Sequence, residues 1–98
     1  MEIKIEHGNE MLVSLKGRLD TTTSFDLDKA LKQETVNEEL MAIDFKELDY
    51  ISSAGLRLLL ALKKQLNAEG KELEIRNIND VVKEVFTVTG FINILKIK

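Results

Sequence analysis

Apolar and polar residues alternate at the start of the chain. Ile3 and Ile5 are separated by Lys4 and flanked by Glu2 and Glu6, the period of a half-buried strand. His7-Gly8-Asn9-Glu10 reads as a turn, and Gly8-Asn9 fits a tight hairpin because both residues tolerate positive φ. Met11, Val13 and Leu15 resume the alternation, so Met11 to Lys16 is expected as a second, antiparallel strand, with Gly17-Arg18-Leu19-Asp20 leading out of it. Thr21-Thr22-Thr23-Ser24 offers several helix N-caps, and Asp26 and Asp28 suit the positive helix end. Leu27, Ala30 and Leu31 fall at i, i+3 and i+4, which predicts an amphipathic helix from about Ser24 to about Glu34.

After a polar loop at Thr35 to Glu39, Leu40-Met41-Ala42-Ile43-Asp44-Phe45 alternates too little for an edge strand. It reads as a central strand, parallel to a neighbour. The longest helix is expected from about Ser53 to Ala68. Leu58, Leu59, Leu62 and Leu66 cluster on the side expected to face the sheet, with Gly55 permitting a close approach, while Leu56 and Leu60 project toward a neighbouring helix. Gly70 terminates this helix, Glu72 to Arg76 forms a strand with Leu73 and Ile75 inward, and Asn77 to Asp80 turns into a helix cap. Val81, Val82, Val85, Phe86 and Val88 line a third helix closed by Gly90; Phe91 to Ile97 is an apolar tail that can add a short strand. The order β-β-α-β-α-β-α-(β) makes an α/β fold, a mixed four- to five-stranded sheet with helices packed on it.

Ninety-eight residues suffice for one domain, taken as 1–98. The net charge of −3 comes without a basic block, which argues against a nucleic-acid or anionic-membrane partner. The apolar run Leu58 to Leu62 is too short to cross a bilayer. With no cysteine there is no disulfide framework, thiolate metal site or thiol nucleophile, which fits a reducing cytoplasm. His7 is the sole histidine and belongs to no triad pattern, and no metal-loop spacing, nucleophile elbow or phosphate-binding Gly-rich loop occurs. The chain reads as a non-enzyme with no catalytic residues, no metal and no cofactor of its own.

The informative stretch is Asp49-Tyr50-Ile51-Ser52-Ser53-Ala54-Gly55-Leu56-Arg57, which sets two hydroxyls at a helix N-terminus. Free N–H groups and the positive macrodipole end favour a negative group there. By themselves Ser52 and Ser53 read as capping residues, Asp20 as a turn former, Asp44 as a strand-end residue bonding a loop N–H, and Arg57 as a solvated helix residue.

Gly17-Arg18-Leu19-Asp20, the strand ending Ile43-Asp44-Phe45, and the Ser52-Ser53-Ala54-Gly55-Leu56-Arg57 stretch resemble the STAS domain, the sulfate-transporter and anti-sigma-factor-antagonist family. The resemblance spans essentially the whole chain, with the Ser-Ser-Ala-Gly-Leu stretch its most specific part. Free-standing members are anti-sigma factor antagonists that work by partner switching. The resemblance implies a cytoplasmic module, monomeric when free, that binds an anti-sigma factor which is also a serine kinase and so releases the sigma factor. It implies that the kinase, with its own bound ATP, phosphorylates Ser53, two positions before Gly55, with Ser52 as the alternative acceptor; a metal-dependent serine phosphatase reverses the step. Asp20, Thr21, Ser52, Ser53, Ala54, Gly55, Leu56 and Arg57 would form the partner-binding end. Ser52 stands where many members carry aspartate, Ala54 where many carry serine or threonine, and Arg57 where many carry glycine. Two rival readings remain open: a constitutive STAS-type scaffold in which the serine only caps a helix, and a small-anion or nucleotide-binding domain or weak hydrolase using that helix end.

Overall fold

A computed structural model describes residues 1–98 and builds one five-stranded sheet. Strands β1 (Glu2–Glu6) and β2 (Met11–Leu19) pair antiparallel; β3 (Leu40–Ile51), β4 (Glu72–Arg76) and β5 (Lys96–Ile97) follow in parallel, in the spatial order β1-β2-β3-β4-β5. Helices α1 (Thr21–Lys32), α2 (Ser53–Ala68) and α3 (Asp80–Thr89) connect the parallel strands, and a short 3-10 turn at Phe91–Asn93 precedes β5. The expected element order holds, the final short strand included, and β3 is central and parallel to both neighbours.

Alternation along β3 decides where the helices go. Met41 lines the junction of α1 and α2 with Leu31, Leu62 and Leu66, and Phe45 meets Phe86 of α3 edge to face, centroids 6.2 Å apart. Met41 and Phe45 share a face, so all three helices cover that one face of the sheet. The opposite face carries no helix. Its rows run Lys4–Ser14–Asp44–Arg76 and Glu6–Leu12–Ala42–Glu74–Lys96. Glu74 is nonetheless buried there, 2.6 Å from Arg76 Nε and 3.7 Å from Lys98 Nζ, while Arg76 forks onto both oxygens of Glu10 at 2.6 Å. Pairing of this kind is what makes a buried carboxylate tolerable.

Several expectations are corrected. β2 and β3 run on to Leu19 and Ile51, past Lys16 and Phe45. Ser14 pairs with Asp44 but Lys16 with Glu47, and Gly17 with Leu48 but Arg18 with Tyr50, so β3 carries an extra residue at each of two bulges. The bulges shift the inward phase from Met41, Ile43 and Phe45 to Leu48 and Ile51. Gly17, at φ 111°, sits beside the second bulge in a conformation few other residues adopt. Helix α1 begins at Thr21 and ends at Lys32, not Ser24 to Glu34, because Asp20 caps it. Gly8 and Asn9 do not adopt positive φ; the chain from His7 to Glu10 is long enough to turn without it. Asn79, one residue before Asp80, caps α3, and Val81 and Val88 are exposed rather than inward.

Helix α2 has the expected bounds but a different buried face: Gly55, Leu56, Leu59, Leu62 and Leu66 are buried, and Leu58 is only half-buried. Leu56 therefore belongs to the core. The i, i+3, i+7 spacing of Leu59, Leu62 and Leu66 admits either flank of the stripe. At Gly55 the helix approaches Leu19 and Ile51 closely, and Leu56, next to it, is buried with it. A Cβ at Gly55 would lie 2.8 Å from Ile51 Cγ1 and 3.0 Å from Leu19 Cδ2, so only glycine lets the helix start this close.

Candidate functional site

Parallel pairing of β2 with β3 sets their carboxyl ends level, Leu19 opposite Ile51. Each strand enters its helix one residue later, so Asp20 and Ser52 are equivalent caps at one edge of the sheet. The Ser52 N–H donates to the Leu19 carbonyl at 2.9 Å and ties the two junctions together. Strand carboxyl ends in α/β sheets are where such folds place their sites, because helix N-termini converge there.

The two caps differ. At α1, Thr23 N–H donates to Asp20 Oδ1 at 3.0 Å and Asp20 N–H donates to Thr23 Oγ1 at 2.8 Å, a closed capping box. The Thr23 N–H holds the Asp20 carboxyl below the usual carboxylate range, so a fixed negative charge already sits on this helix end. At α2, Ser52 Oγ accepts from Gly55 N–H at a long 3.4 Å, and Leu56 N–H bonds to the Ser52 carbonyl at 3.0 Å. The N–H groups of Ser53 and Ala54 have no acceptor in the chain, and the Ser53 hydroxyl makes no hydrogen bond. Ser53 is exposed, at the first position of the helix.

The structure brings the sequence-selected residues together. Thr21 of α1 and Ala54 and Arg57 of α2 line one groove of about 430 Å³ between the two helices, with Ser24, Phe25, Leu58 and Ala61. Thr21, Ser53 and Arg57 are exposed, and Asp20, Ser52 and Ala54 half-buried. Gly55 and Leu56 are buried and shape the site from beneath rather than lining its surface. Asp44 has a structural role: its Oδ1 accepts from the backbone N–H of Lys46 at 2.9 Å and from the side-chain Nδ2 of Asn77 at 3.0 Å. Sequence reasoning passed over Phe25, 74% exposed on the groove wall. The signal was present, since at about 100° per residue Phe25 lies nearly opposite Leu27 on α1.

A second polar cluster lies away from this edge. His7 Nδ1 is 2.8 Å from Glu38 Oε2, Gly8 N–H donates to the same oxygen at 3.1 Å, and Glu34 Oε1 is 3.7 Å from His7 Nε2. The hydrogen bond with Glu38 raises the His7 pKa above its ordinary value. Burial pushes the Glu38 carboxyl up, but backbone N–H groups and His7 outweigh it and hold it low. No group of three or more His, Cys, Asp or Glu side chains is arranged to hold a metal ion, and no helix is long and apolar enough to cross a membrane.

The family model described as the STAS domain matches residues 1–98. BtrV of Bordetella bronchiseptica, whose name places it provisionally among anti-sigma factor antagonists, is 33% identical over 99 residues, covering 99% of this chain and 85% of BtrV. An anti-sigma-B factor antagonist of Listeria monocytogenes is 28% identical over 99 residues, covering 100% of this chain and 87% of its own. The crystal structure of an anti-sigma factor antagonist from Mycobacterium paratuberculosis superposes with a TM-score of 0.85 at 20% identity, covering 98% of this chain and 83% of that one, a likeness of fold.

Proposed function

The chain belongs to the STAS domain family, and from that premise we propose that it is an anti-sigma factor antagonist working by partner switching, controlled by phosphorylation of Ser53. In the unmodified form it binds an anti-sigma factor that is also a serine kinase and thereby frees the sigma factor. The kinase transfers the γ-phosphoryl group of its bound ATP to Ser53 Oγ; the hydroxyl proton leaves and ADP is released. A metal-dependent serine phosphatase hydrolyses the ester with water to inorganic phosphate and restores the binding form. The chain acts as substrate and ligand in the cytoplasm, not as a catalyst, and holds no nucleotide itself.

One observation carries the choice of residue. Ser53 presents a free, exposed hydroxyl beside two unpaired amides, while Ser52 is committed to capping. Modifying Ser52 would break the Gly55 cap; modifying Ser53 breaks no bond. A phosphate adds about −1.5 to −2 charges and three acceptor oxygens. The helix end receives them without unfolding, so the switch alters a surface and not the fold. The exposed Asp49 and Glu47 at the end of β3 add like charge toward an acidic partner patch.

Incubating the protein with serine kinases of the same cell and ATP, then mapping the product by mass spectrometry, tests this directly. The expected product carries one phosphate, on Ser53. Ser53→Asp is expected to weaken binding to the cognate kinase about 5–150-fold, the range of ordinary coupling free energies. Undiminished binding by both Ser53→Asp and the phosphorylated protein would favour a constitutive docking module instead.

A further inference from the structure

A dianion on Ser53 has one cation within reach on its own helix. Arg57 lies four residues on, one turn along the same face, where Cβ atoms stand about 5–6 Å apart. It is exposed and takes part in no ion pair or hydrogen bond. The other two arginines are engaged: Arg76 with Glu10 and Glu74, and Arg18 over the Tyr50 ring at 4.3 Å. The one acidic residue that lines the groove with Arg57, Asp28, is paired with Lys32 at 2.8 Å. The negative-then-positive order at i, i+4 is the favourable orientation for a pair. The guanidinium presents a planar fork of donors that matches phosphate oxygens.

We propose that Arg57 receives the phosphoryl group of modified Ser53, closing the open start of α2 with an intrahelical phosphoserine–arginine pair. The inference rests on the reading of Ser53 as the modified residue and deepens it by naming what regulates the charge placed there. The effect of the pair is to lower by about one unit the charge a partner meets. Exclusion of the partner then depends more on the bulk of the phosphate than on repulsion.

The test installs phosphoserine at position 53 of the full chain by genetic encoding, so that no kinase is required. The second ionisation of the phosphate, ordinarily near pH 6, is followed by 31P NMR at low salt. A neighbouring cation favours the dianion, so the midpoint should be lowest in the native background. It should rise by about 0.15–0.4 pH unit in Arg57→Gln, with Arg57→Lys between. The difference should shrink in about 1 M salt, where the Debye length falls to about 3 Å. Equal midpoints for the native background and Arg57→Gln at low salt overturn the proposal. Binding to the cognate kinase separates this failure from that of the switch. If phosphoserine at 53 leaves binding intact, the switch falls and the Arg57 titration still stands; if binding is lost with equal midpoints, only the Arg57 pair falls.

Discussion

Two helices begin side by side at one edge of the sheet, and they begin differently. Asp20 closes the start of α1 with a carboxylate, a reciprocal threonine bond and a further hydrogen bond from Thr23 Oγ1 to the Arg18 carbonyl at 2.7 Å. Ser52 closes α2 with one long bond from a neutral hydroxyl, and two amides beyond it stay unpaired. The same backbone layout thus yields one helix end already supplied with negative charge and one that lacks it. A phosphoryl group added at α1 would meet Asp20; added at α2 it meets free N–H groups. That asymmetry, more than the mere presence of serines, makes Ser53 the better place for a removable charge.

Substitutions can break or sharpen this contrast. The largest effect on stability is expected from Gly55→Ala, which forces a Cβ against Ile51 and Leu19 and prises the start of α2 from its place beside α1. A loss of about 1–3 kcal/mol in chemical denaturation is expected, despite the better helix propensity of alanine. Unchanged stability would mean the two helix starts are not held level by close packing.

Next come the caps themselves. Ser52→Ala should cost about 0.5–1 kcal/mol, the lower end for a cap, given its long bond. Asp20→Ala should lower the melting temperature by more. Asp20→Asn keeps the cap geometry and removes the charge. Because the folded pKa of Asp20 is depressed, its extra stabilisation is present above the unfolded value near 3.8 and is lost as pH falls through the folded value. The native protein and Asp20→Asn should therefore converge in acid, measured by thermal unfolding between about pH 2 and 6.

A smaller effect compares equivalent first positions of the two helices. Ser53→Asp should stabilise the domain by about 0.3–1 kcal/mol, because α2 has no acidic residue in its first turn, while Thr21→Asp, next to Asp20, should gain nothing. Equal gains at both positions would erase the asymmetry.

The smallest effect serves as a control away from both caps. The folded pKa of His7 is raised, so its ion pair with Glu38 contributes fully below the unfolded value near 6.5 and fades as pH rises through the folded value. His7→Gln should flatten the stability profile between about pH 6 and 8 and leave the acid convergence of Asp20→Asn untouched.

How far the chain could be read without its structure differs from element to element. The hairpin, the order of strands and helices, the bounds of α2 and β4, and the close approach at Gly55 all follow from short-range patterns: alternation, i and i+4 spacing, glycine at a helix end. β3 was read only to Phe45 because its two bulges break the period of two, and a bulge is set by the partner strand's register. Glu74 reads as a surface residue in an alternating strand. It is buried because Arg76, Lys96 and Lys98 converge over it, two of them from β5 and the chain beyond. By the residues alone both serines read as caps, and only the resemblance singled out Ser53; the hydrogen bonding is what separates Ser52, which caps α2, from Ser53, which is free.

What the sequence determined alone is local chemistry: which residues can cap a helix, which stripe of leucines is apolar, and which Ser-Ser-Ala-Gly-Leu-Arg stretch stands where strand becomes helix. Tertiary structure decided the rest. Pairing Leu19 with Ile51 set Asp20 beside Ser52, and the packing of α2 against the sheet buried Leu56 and left Leu58 at the groove. It also let Ser52 spend its hydroxyl on the cap and left Ser53 free in solvent. The physical reason is range: propensity and periodicity act over a few residues, whereas register, burial and the sharing of hydrogen bonds between neighbouring helix ends depend on segments about thirty residues apart meeting in space.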